Sequence, residues 1–463
     1  MRENIRSRLL AMVGVFLVSA VGAFATTVMG TGVGMSKAES KRNALADLSH
    51  SISVSVRSDF FTYTASLGGK YKKNTQNKVR LSSSLPILSA TFSLLDGVKM
   101  VRTVASISSE HSLQAYKNEL ARLKKEITTL QDTKEYTLLK QLHSHITSFN
   151  KHKIVAVMLG GEGLASIALT EAEVLKQIVA LEKRVPSLDV LAEVLVKGVG
   201  QEKIYLATIK TQGSKQTTQF ARVLKQKMST RLKSVKRSVD AKYFLQGHYD
   251  ILQDAIFVSV SVVDENNEIV VSNTATVDSK AYRGMSYKPT TKSFDEAMNS
   301  GVVRRGKLRV HLGFLGYDRE DGIDFDAGER LAVVVKSNQP ICYFLQGHIL
   351  DKHKPYSYVL PIGSGGEPFV GRLTGEDVNV VTTILEGVEV ASPYGSEALQ
   401  IFAQTLPSNN KCSLKVPKCE ENADGLCTTK DKPSKTISKT RALVVKNKLE
   451  KAEAKIEFTS FAK

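Results

Sequence analysis

Three residues of the chain stand in an order that could support thiol chemistry. Cys342, His348 and Asp351 could act as a nucleophile, its base and an orienting carboxylate. Cys342 lies inside an alternating strand pattern, however, where a thiol is usually buried and inert. The chain also has no nucleophile elbow and no zinc signature. The sequence therefore predicts no catalytic residue and a protein that is not an enzyme.

An acidic loop is the one candidate for a metal site. Its sequence, DREDGIDFD, supplies carboxylate oxygens of the kind that calcium prefers. Gly322 stands one place too early for the helix-loop-helix calcium pattern. We therefore predict no metal site, and no motif indicates a cofactor.

Three cysteines stand close together near the end of the chain, at Cys412, Cys419 and Cys427. Their spacing fits no zinc pattern and no histidine is nearby. In an oxidising compartment a disulfide within this group is expected. Three thiols cannot all pair with one another, so one stays free or reaches elsewhere, with Cys342 as a candidate partner. The sequence does not choose among these pairings.

A basic helix is predicted from about Thr217, with Phe220, Leu224 and Met228 facing inward. Such a face is either a solvated surface or a binding surface for phosphate-bearing envelope polymer or lipid. The candidate surface for an anionic partner consists of Arg222, Lys225, Lys227, Arg231 and Lys233.

The first 25 residues have the three regions of a secretory signal. Arg2, Arg6 and Arg8 precede an apolar run, which ends at the small-residue site Ala23-Phe24-Ala25. We predict a cleaved signal peptide at 1–25, with an uncleaved membrane anchor as the alternative. A formal net charge of +18 would suggest nucleic acid inside a cell. Export excludes that partner, leaves anionic envelope material, and predicts a periplasmic or outer-membrane-associated protein.

Local patterns predict most of the elements. Apolar residues at helical spacing indicate helices near 113–130 and 136–149, and capping residues at Thr170 and Ser187 open two more. Strand patterns flank a turn at 264–268 and dominate from about 307 onward. His143, His145 and His152 are predicted to be surface residues, and a lysine-rich insert at 409–439 is predicted to be a mobile loop.

Two glycine-bearing stretches invite a functional interpretation that their context does not support. GTGVG, from Gly30 to Gly34, lacks the lysine and hydroxyl residue of a phosphate loop, so we predict turn or strand glycines. YFLQGH occurs twice, ending at His248 and at His348, but the flanking residues differ. We predict two unrelated strands, with Gly247 allowing a turn or bulge, and no paired histidine site.

Longer stretches resemble known families. GTGVG, AESKRNALADLSHSISVSVRS, LPIL and SLQAYKNELARLKKEI together resemble the amino-terminal, lipoprotein-like domain of flagellar assembly protein T. SLDVLAEVLVKG through FVSVSVVDENNEIV is similar to the TolB-like middle domain of the same protein. GIDFDAGERLAVVVKSNQPICYFLQG, SYVLPIG and SPYGSEALQIFAQ resemble a bacterial β domain of unknown function. The lipid-anchor cysteine of the lipoprotein relatives is missing.

This resemblance implies an α+β chain of three domains. They are an α+β domain at 26–186, a TolB-like α/β domain at 187–290, and a mainly β domain at 291–463. The expected function is a non-enzymatic envelope assembly or scaffold protein, with other envelope proteins, among them flagellar motor components, as partners. The alternative is a periplasmic binding or sensing module for cell-wall or glycolipid ligands, and an enzyme with an unrecognised site is the third hypothesis.

Overall fold

The structure is a computed structural model, and it describes most of the chain after the predicted signal peptide. Residues 1–25 lie outside the described part, as do Asp351 and most of the acidic loop. The described residues are 27–34, 37, 40–49, 51–52, 85–96, 101–181, 184–200, 202–211, 214–299, 302–317, 323–350, 355–363, 367–421, 426–444 and 449–462.

The first part of the chain is a small antiparallel sheet covered by helices. Its strands run in the order β1-β3-β2, and a helix at 40–49, α1, packs on β1. The strands are β1 (Thr27–Gly34), β2 (Thr91–Asp96) and β3 (Val101–Ser108). A Cβ added at Gly30 would lie 2.1 Å from the Leu48 nitrogen, and one at Gly32 would lie 2.2 Å from the Ala44 nitrogen. These glycines therefore let a strand and a helix approach closely, which confirms the strand-glycine prediction.

The helices of this part follow the predicted spacing. They are α2 (Leu113–Leu130), α3 (Tyr136–Met158) and α4 (Glu171–Leu181). Tyr116, Leu120, Leu123 and Ile127 are buried along one face of α2, as the spacing of three and four predicts. The Thr170 hydroxyl accepts from the Glu173 nitrogen and the Glu173 carboxylate accepts from the Thr170 nitrogen, so the predicted capping box is present.

The surface assignment of the helix α3 histidines is wrong for two of them. His143 is 8% exposed and His152 is 1% exposed. His152 Nδ1 is 2.8 Å from the Ser148 carbonyl oxygen, and its Nε2 is 3.4 Å from Glu268. The spacing of these histidines excluded joint chelation but could not indicate their burial. A strand at Ile269–Asp278, more than 100 residues away in sequence, packs on α3.

The middle part is a mixed sheet with two helices, in the order β6-β4-β7-β8-β9, with β5 also paired to β7. β7 runs parallel to β4 and antiparallel to β8, and the β8–β9 hairpin lies where the sequence predicts it. The elements are α5 (Leu188–Val196), β4 (Ile204–Leu206), β5 (Lys210–Thr211), α6 (Gln219–Ser229), β6 (Ser234–Val235), β7 (Tyr243–Ile251), β8 (Ala255–Val263) and β9 (Ile269–Asp278).

Gly247 lies in regular strand rather than in the turn or bulge that the sequence suggests. The β7–β8 register runs unbroken through it, and an added Cβ would lie 2.2 Å from the Ser259 carbonyl oxygen. Gly347, in the second copy of the hexapeptide, instead makes room for the Tyr358 ring. The two glycines thus meet different neighbours, which agrees with unrelated strands.

The last part is a β-sandwich. A nine-stranded sheet, with main order β10-β21-β18-β14-β15-β20-β19, faces a three-stranded sheet of order β11-β13-β17. The strands are β10 (Arg304–Arg305), β11 (Val310–Phe314), β12 (Asp324–Asp326), β13 (Arg330–Ser337), β14 (Ile341–Ile349), β15 (Tyr356–Val359), β16 (Gly371–Leu373), β17 (Thr382–Glu389), β18 (Ser396–Thr405), β19 (Glu420–Glu421), β20 (Cys427–Thr428) and β21 (Lys451–Phe461). β21, the last strand, is internal to the sheet, since β10 and β12 pair with it on one side and β18 on the other.

The second face of the nine-stranded sheet is polar and covered. It is packed by α7 (Lys292–Asn299) and α8 (Pro433–Val444) through Phe294, Met298 and Ile437. The 409–439 insert is therefore not the mobile loop predicted from its lysine content, because β19, β20 and the first half of α8 lie within it. The chain is α+β throughout, as predicted.

All three parts touch one another. The tip of the β8–β9 hairpin enters the first part, where the Asn267 amide donates to the Leu85 carbonyl oxygen at 2.9 Å. Lys336 on β13 donates to Asp47 at 2.7 Å and to the Thr31 carbonyl oxygen at 2.6 Å. Helix α6 meets β12. These contacts join each part of the chain to the other two.

Candidate functional site

The predicted basic surface is built on α6. The helix begins at the cap residue Thr218, whose hydroxyl accepts from the Ala221 nitrogen at 3.3 Å. Phe220, Leu224 and Met228 are fully buried beneath it. Of the five basic residues, Arg222, Lys225 and Lys227 lie on α6, and Arg231 and Lys233 follow its last residue, Ser229.

Each of the five cations has a carboxylate partner. The pairs fall into two groups, one directed at β12 and one at α5 and the segment before β4. They are Arg222–Asp326 at 2.8 Å, Lys225–Asp324 at 3.1 Å, Lys227–Asp189 at 2.7 Å, Arg231–Asp189 at 3.5 Å and Lys233–Glu202 at 2.7 Å. The structure thus divides the predicted surface into two sets and offsets its charge within the chain.

Asp324 is the most enclosed of these partners. Its side chain is 11% exposed and accepts from Thr217 at 2.6 Å, from Thr208, and from Lys225. Burial alone would raise the pKa of this carboxyl, but Lys225, Lys210 and the two hydroxyls outweigh it and the pKa is lowered. An ionised carboxylate therefore holds the middle part against β12.

Arg222 makes a second contact between the middle part and the β-sandwich. Its guanidinium lies 4.1 Å from the centre of the Phe461 ring while it pairs with the more exposed Asp326. Arg222 and Lys225 consequently serve an internal interface. Lys227, Arg231 and Lys233 lie at and beyond the carboxyl end of α6, where Lys233 is the most exposed of the five, at 77%. Binding of an anionic partner there stays a prediction.

Two of the residues proposed for thiol chemistry, Cys342 and His348, do not come together, and Asp351 lies outside the described residues. Cys342 and His348 lie on one straight strand and are about 20 Å apart at the usual rise per residue. The Cys342 sulfur accepts from Gln404 at 3.4 Å. The position of both residues on β14 therefore keeps Cys342 and His348 too far apart to act as a nucleophile and its base.

His348 instead lies between Ser357 and Gln400. Its Nδ1 is 2.8 Å from the Ser357 hydroxyl and its Nε2 is 3.1 Å from the Gln400 side-chain oxygen. All three side chains are fully buried, and burial lowers the pKa of His348 to about 4. A serine and histidine at this distance could form a nucleophile and base, but a buried imidazole facing an amide acts here as a neutral hydrogen-bonding bridge.

A group of buried charges beside His348 was not foreseen from the sequence. Arg441 on α8 makes a two-point ion pair with Glu453 on β21, at 2.9 and 2.5 Å, with both side chains less than 10% exposed. The same guanidinium donates to the carbonyl oxygens of Ala297 and Met298 at the end of α7. It therefore ties both covering helices to the sheet. The alternating segment AKIEFTSFA, at 454–462, predicts a strand, but it gives no sign that the polar face of β21 is covered.

Two carboxyls in the same region have raised pKa values. Burial raises the pKa of Glu397 to about 7, although Ser460 donates to it at 2.5 Å. Burial, followed by the charge of Glu457, raises the pKa of Asp295 to about 7 as well. Asp295 lies on α7, on the helix-covered side of the sheet, whereas Glu397 lies on the face of β18 that carries Leu399 and Ile401 and is directed at the core of the sandwich.

The structure pairs two of the four cysteines. Cys419 and Cys427 form a disulfide, which lies within the predicted trio. Cys342 and Cys412 are free. Within the described residues, no three His, Cys, Asp or Glu side chains are grouped so that they could hold a metal ion.

An exposed apolar strand edge is the remaining feature. β2 pairs only with β3 among the described strands, so its other edge has no described partner. Phe92 is 39% exposed and Leu94 is 48% exposed on this strand, and Met29 on β1 is 51% exposed. An edge strand with apolar side chains is the type of surface to which an extended segment of a partner can add.

The comparisons with known proteins place few constraints on the chain. No family model matches it and no curated protein matches it, so the resemblance to flagellar assembly protein T has no support from them. Among the described residues, none of the helices combines the length and apolar composition that crossing a bilayer requires. Among solved structures, the chain is similar to the crystal structure of the secreted protein HP1454 from the human pathogen Helicobacter pylori, with 14% sequence identity and a TM-score of 0.24 over 60% of this chain and 98% of that chain.

Proposed function

We propose that the protein is an exported, non-enzymatic scaffold of the cell envelope that binds partner proteins through the edge of β2 that no described strand occupies. The observation that carries this proposal is the pair of exposed apolar side chains, Phe92 and Leu94, on an edge strand. Strand addition uses the backbone groups of such an edge for affinity and its side chains for selectivity.

Other features of the molecule favour a structural role over a catalytic one. The ionisable groups of Asp324, Glu453 and Lys336 are used to join elements of the chain. The Cys419–Cys427 disulfide fits an oxidising compartment, which agrees with the export signal predicted at 1–25. The flagellar motor is the complex to which the family resemblance points.

Photo-crosslinking in intact cells tests the proposed edge. A photoreactive phenylalanine at Leu94 is expected to capture an envelope protein that mass spectrometry can identify. The matched position is Leu315, which is 59% exposed in the turn after β11 and is expected to capture nothing specific. Leu94→Lys should abolish the adduct formed from position 92 without lowering the melting temperature.

The outcomes separate the candidate functions. Loss of motility in the Leu94→Lys strain, with intact cell-wall integrity, supports a flagellar scaffold. Retention of the purified protein on cell-wall polymer, with no protein adduct from position 94, contradicts the scaffold and favours the binding-module alternative. Turnover in a broad hydrolase screen would contradict a non-enzymatic role.

A further inference from the structure

The two free cysteines lie against each other across the polar face of the nine-stranded sheet. Cys342 is buried near the start of β14, and Cys412 is half-buried on the segment that follows β18. Cys412 interacts with the Cys342 thiol and, after burial, contributes to its raised pKa. Seventy residues of chain separate them, so this contact is made by the fold and not by local sequence.

A glutamine holds the two segments in place. Gln404 is the β18 residue paired with Cys342, and its amide donates to the Cys342 sulfur at 3.4 Å. The same side chain exchanges hydrogen bonds with the Ser413 hydroxyl, at 3.1 and 3.2 Å. Ser413 follows Cys412 directly, so Gln404 positions the backbone of Cys412 above Cys342.

A cation lies beside both sulfurs. Arg372 on β16 is the residue paired with Cys342 on the other side of β14. Its charge also interacts with Cys412, after its main partner Glu367. For Cys342, the charge of Arg372 lowers the pKa and so acts against burial, which is the larger influence and raises it. The thiolate is the form that reacts with disulfides.

We propose that Cys342 and Cys412 are a site of oxidation, where a second disulfide forms by exchange with a disulfide oxidant and fastens the segment after β18 to β14. The oxidant belongs to the class of small-molecule or protein disulfides, such as oxidised glutathione. This bond is distinct from Cys419–Cys427 and does not depend on the function proposed for β2.

The order of the steps follows from exposure. The Cys412 thiol is the more accessible, so it loses its proton to solvent and its thiolate attacks the oxidant, releasing one reduced thiol and leaving a mixed disulfide. The Cys342 thiolate then attacks the Cys412 sulfur and the second thiol leaves. Two protons and two electrons pass from the cysteines to the oxidant. Burial raises the pKa of Cys342 to about 12, so the second step limits the rate.

Thiol counting on the full chain tests the proposal without any variant. The purified protein is incubated with oxidised glutathione, denatured, alkylated before reduction, and digested for mass spectrometry. We expect the number of alkylated cysteines to fall from two to none, and a peptide pair linked through Cys342 and Cys412. Persistence of both free thiols, a glutathione adduct confined to Cys412, or linkage of Cys412 to Cys419 or Cys427 would each overturn the proposal.

Limited proteolysis tests whether the second disulfide holds the segment after β18 against β14. Cys412→Ser keeps the Cys419–Cys427 bond but cannot form the second one. Tryptic cleavage after Lys411 should slow severalfold when the wild-type chain is oxidised and should not change in Cys412→Ser. Cleavage after Lys233, which is 77% exposed, provides the internal reference. Equal slowing in both proteins contradicts the proposed bond.

Discussion

At the scale of single residues, several ionisable groups of this protein form ion pairs that connect elements distant in sequence. Asp324 and Asp326 show this on one short strand, because both bind α6 but differ in exposure. The side chain of Asp324 is 11% exposed and that of Asp326 is 52% exposed. The energetic weight of an ion pair depends on how far its members are withdrawn from water.

Asp324→Asn should therefore destabilise the protein far more than Asp326→Asn. Removal of the buried charge leaves Lys225 without its acceptor and weakens the hydrogen bonds from Thr208 and Thr217. We expect a loss of about 3 kcal/mol in the free energy of unfolding, measured with urea, against less than about 1 kcal/mol for Asp326→Asn. Similar losses in both variants would show that burial does not set the difference.

Glu397 makes a prediction about pH. Its pKa is about 7 in the fold against an ordinary 4.5, so the folded chain keeps a proton that the unfolded chain has released. Stability should fall as the pH rises from about 4.5 to about 7 and then level off. Glu397→Gln should remove the share of this fall that comes from Glu397, whereas Asp295 keeps its own share. The variant should be on the order of 2 kcal/mol more stable than wild type at pH 8 and nearly equal at pH 4.

Denaturation at several pH values checks this expectation. The matched control is Glu389→Gln on β17, whose carboxylate is 58% exposed and should give the wild-type pH profile. A Glu397→Gln protein that retains the full wild-type slope between pH 4.5 and 7 would contradict the role assigned to burial at this site.

At the scale of elements, the close approach of β1 and α1 depends on glycine. Gly30→Ala should destabilise the first part of the chain by about 2 kcal/mol or more, because the new Cβ would overlap the backbone of Leu48. Gly200→Ala is the control, since nothing lies within 4 Å of its Cβ position. Thermal unfolding followed by circular dichroism measures both, and a neutral Gly30→Ala would contradict the packing.

Elements with a strong local pattern could be predicted from the sequence. Helices α2 and α3 and the β8–β9 hairpin were correct because spacing and turn residues determine them locally. The 409–439 insert was not predicted correctly, because β19 and β20 are each only two residues long. They are held by pairing with each other and with β15, and by the Cys419–Cys427 disulfide. The burial of His143 and His152 likewise depends on distant chain.

The candidate basic surface could also be predicted only in part from the sequence. Its five cations follow from helical spacing, but their partners do not. Lys225 and Asp324 are 99 residues apart, and Lys227 and Asp189 are 38 apart. No local pattern indicates that these charges would be met within the chain. The exposed edge of β2 also required knowledge of the strand order.

At the scale of the whole molecule, the buried Lys336–Asp47 pair links the β-sandwich to the first part. Lys336→Met should lower the melting temperature markedly, because it leaves the Asp47 carboxylate without its cation. Lys336→Met combined with Asp47→Asn should recover part of the loss, with a coupling energy of about 1–3 kcal/mol. Calorimetry should resolve an earlier transition for the single variant.

Arg330→Met, on the same strand and 78% exposed, is the control and should change stability by less than about 0.5 kcal/mol. If Arg330→Met and Lys336→Met lowered the melting temperature equally, the link between the two parts would lie elsewhere.

The internal position of β21 has a consequence for the assembly of the sheet. Its residues, Lys451–Phe461, stand between β18 and β10 and also pair with β12. While β21 is not in place, the long strand β18 has one row of backbone groups open to any neighbouring chain. Substitutions that keep β21 from docking should therefore promote aggregation as well as lower stability.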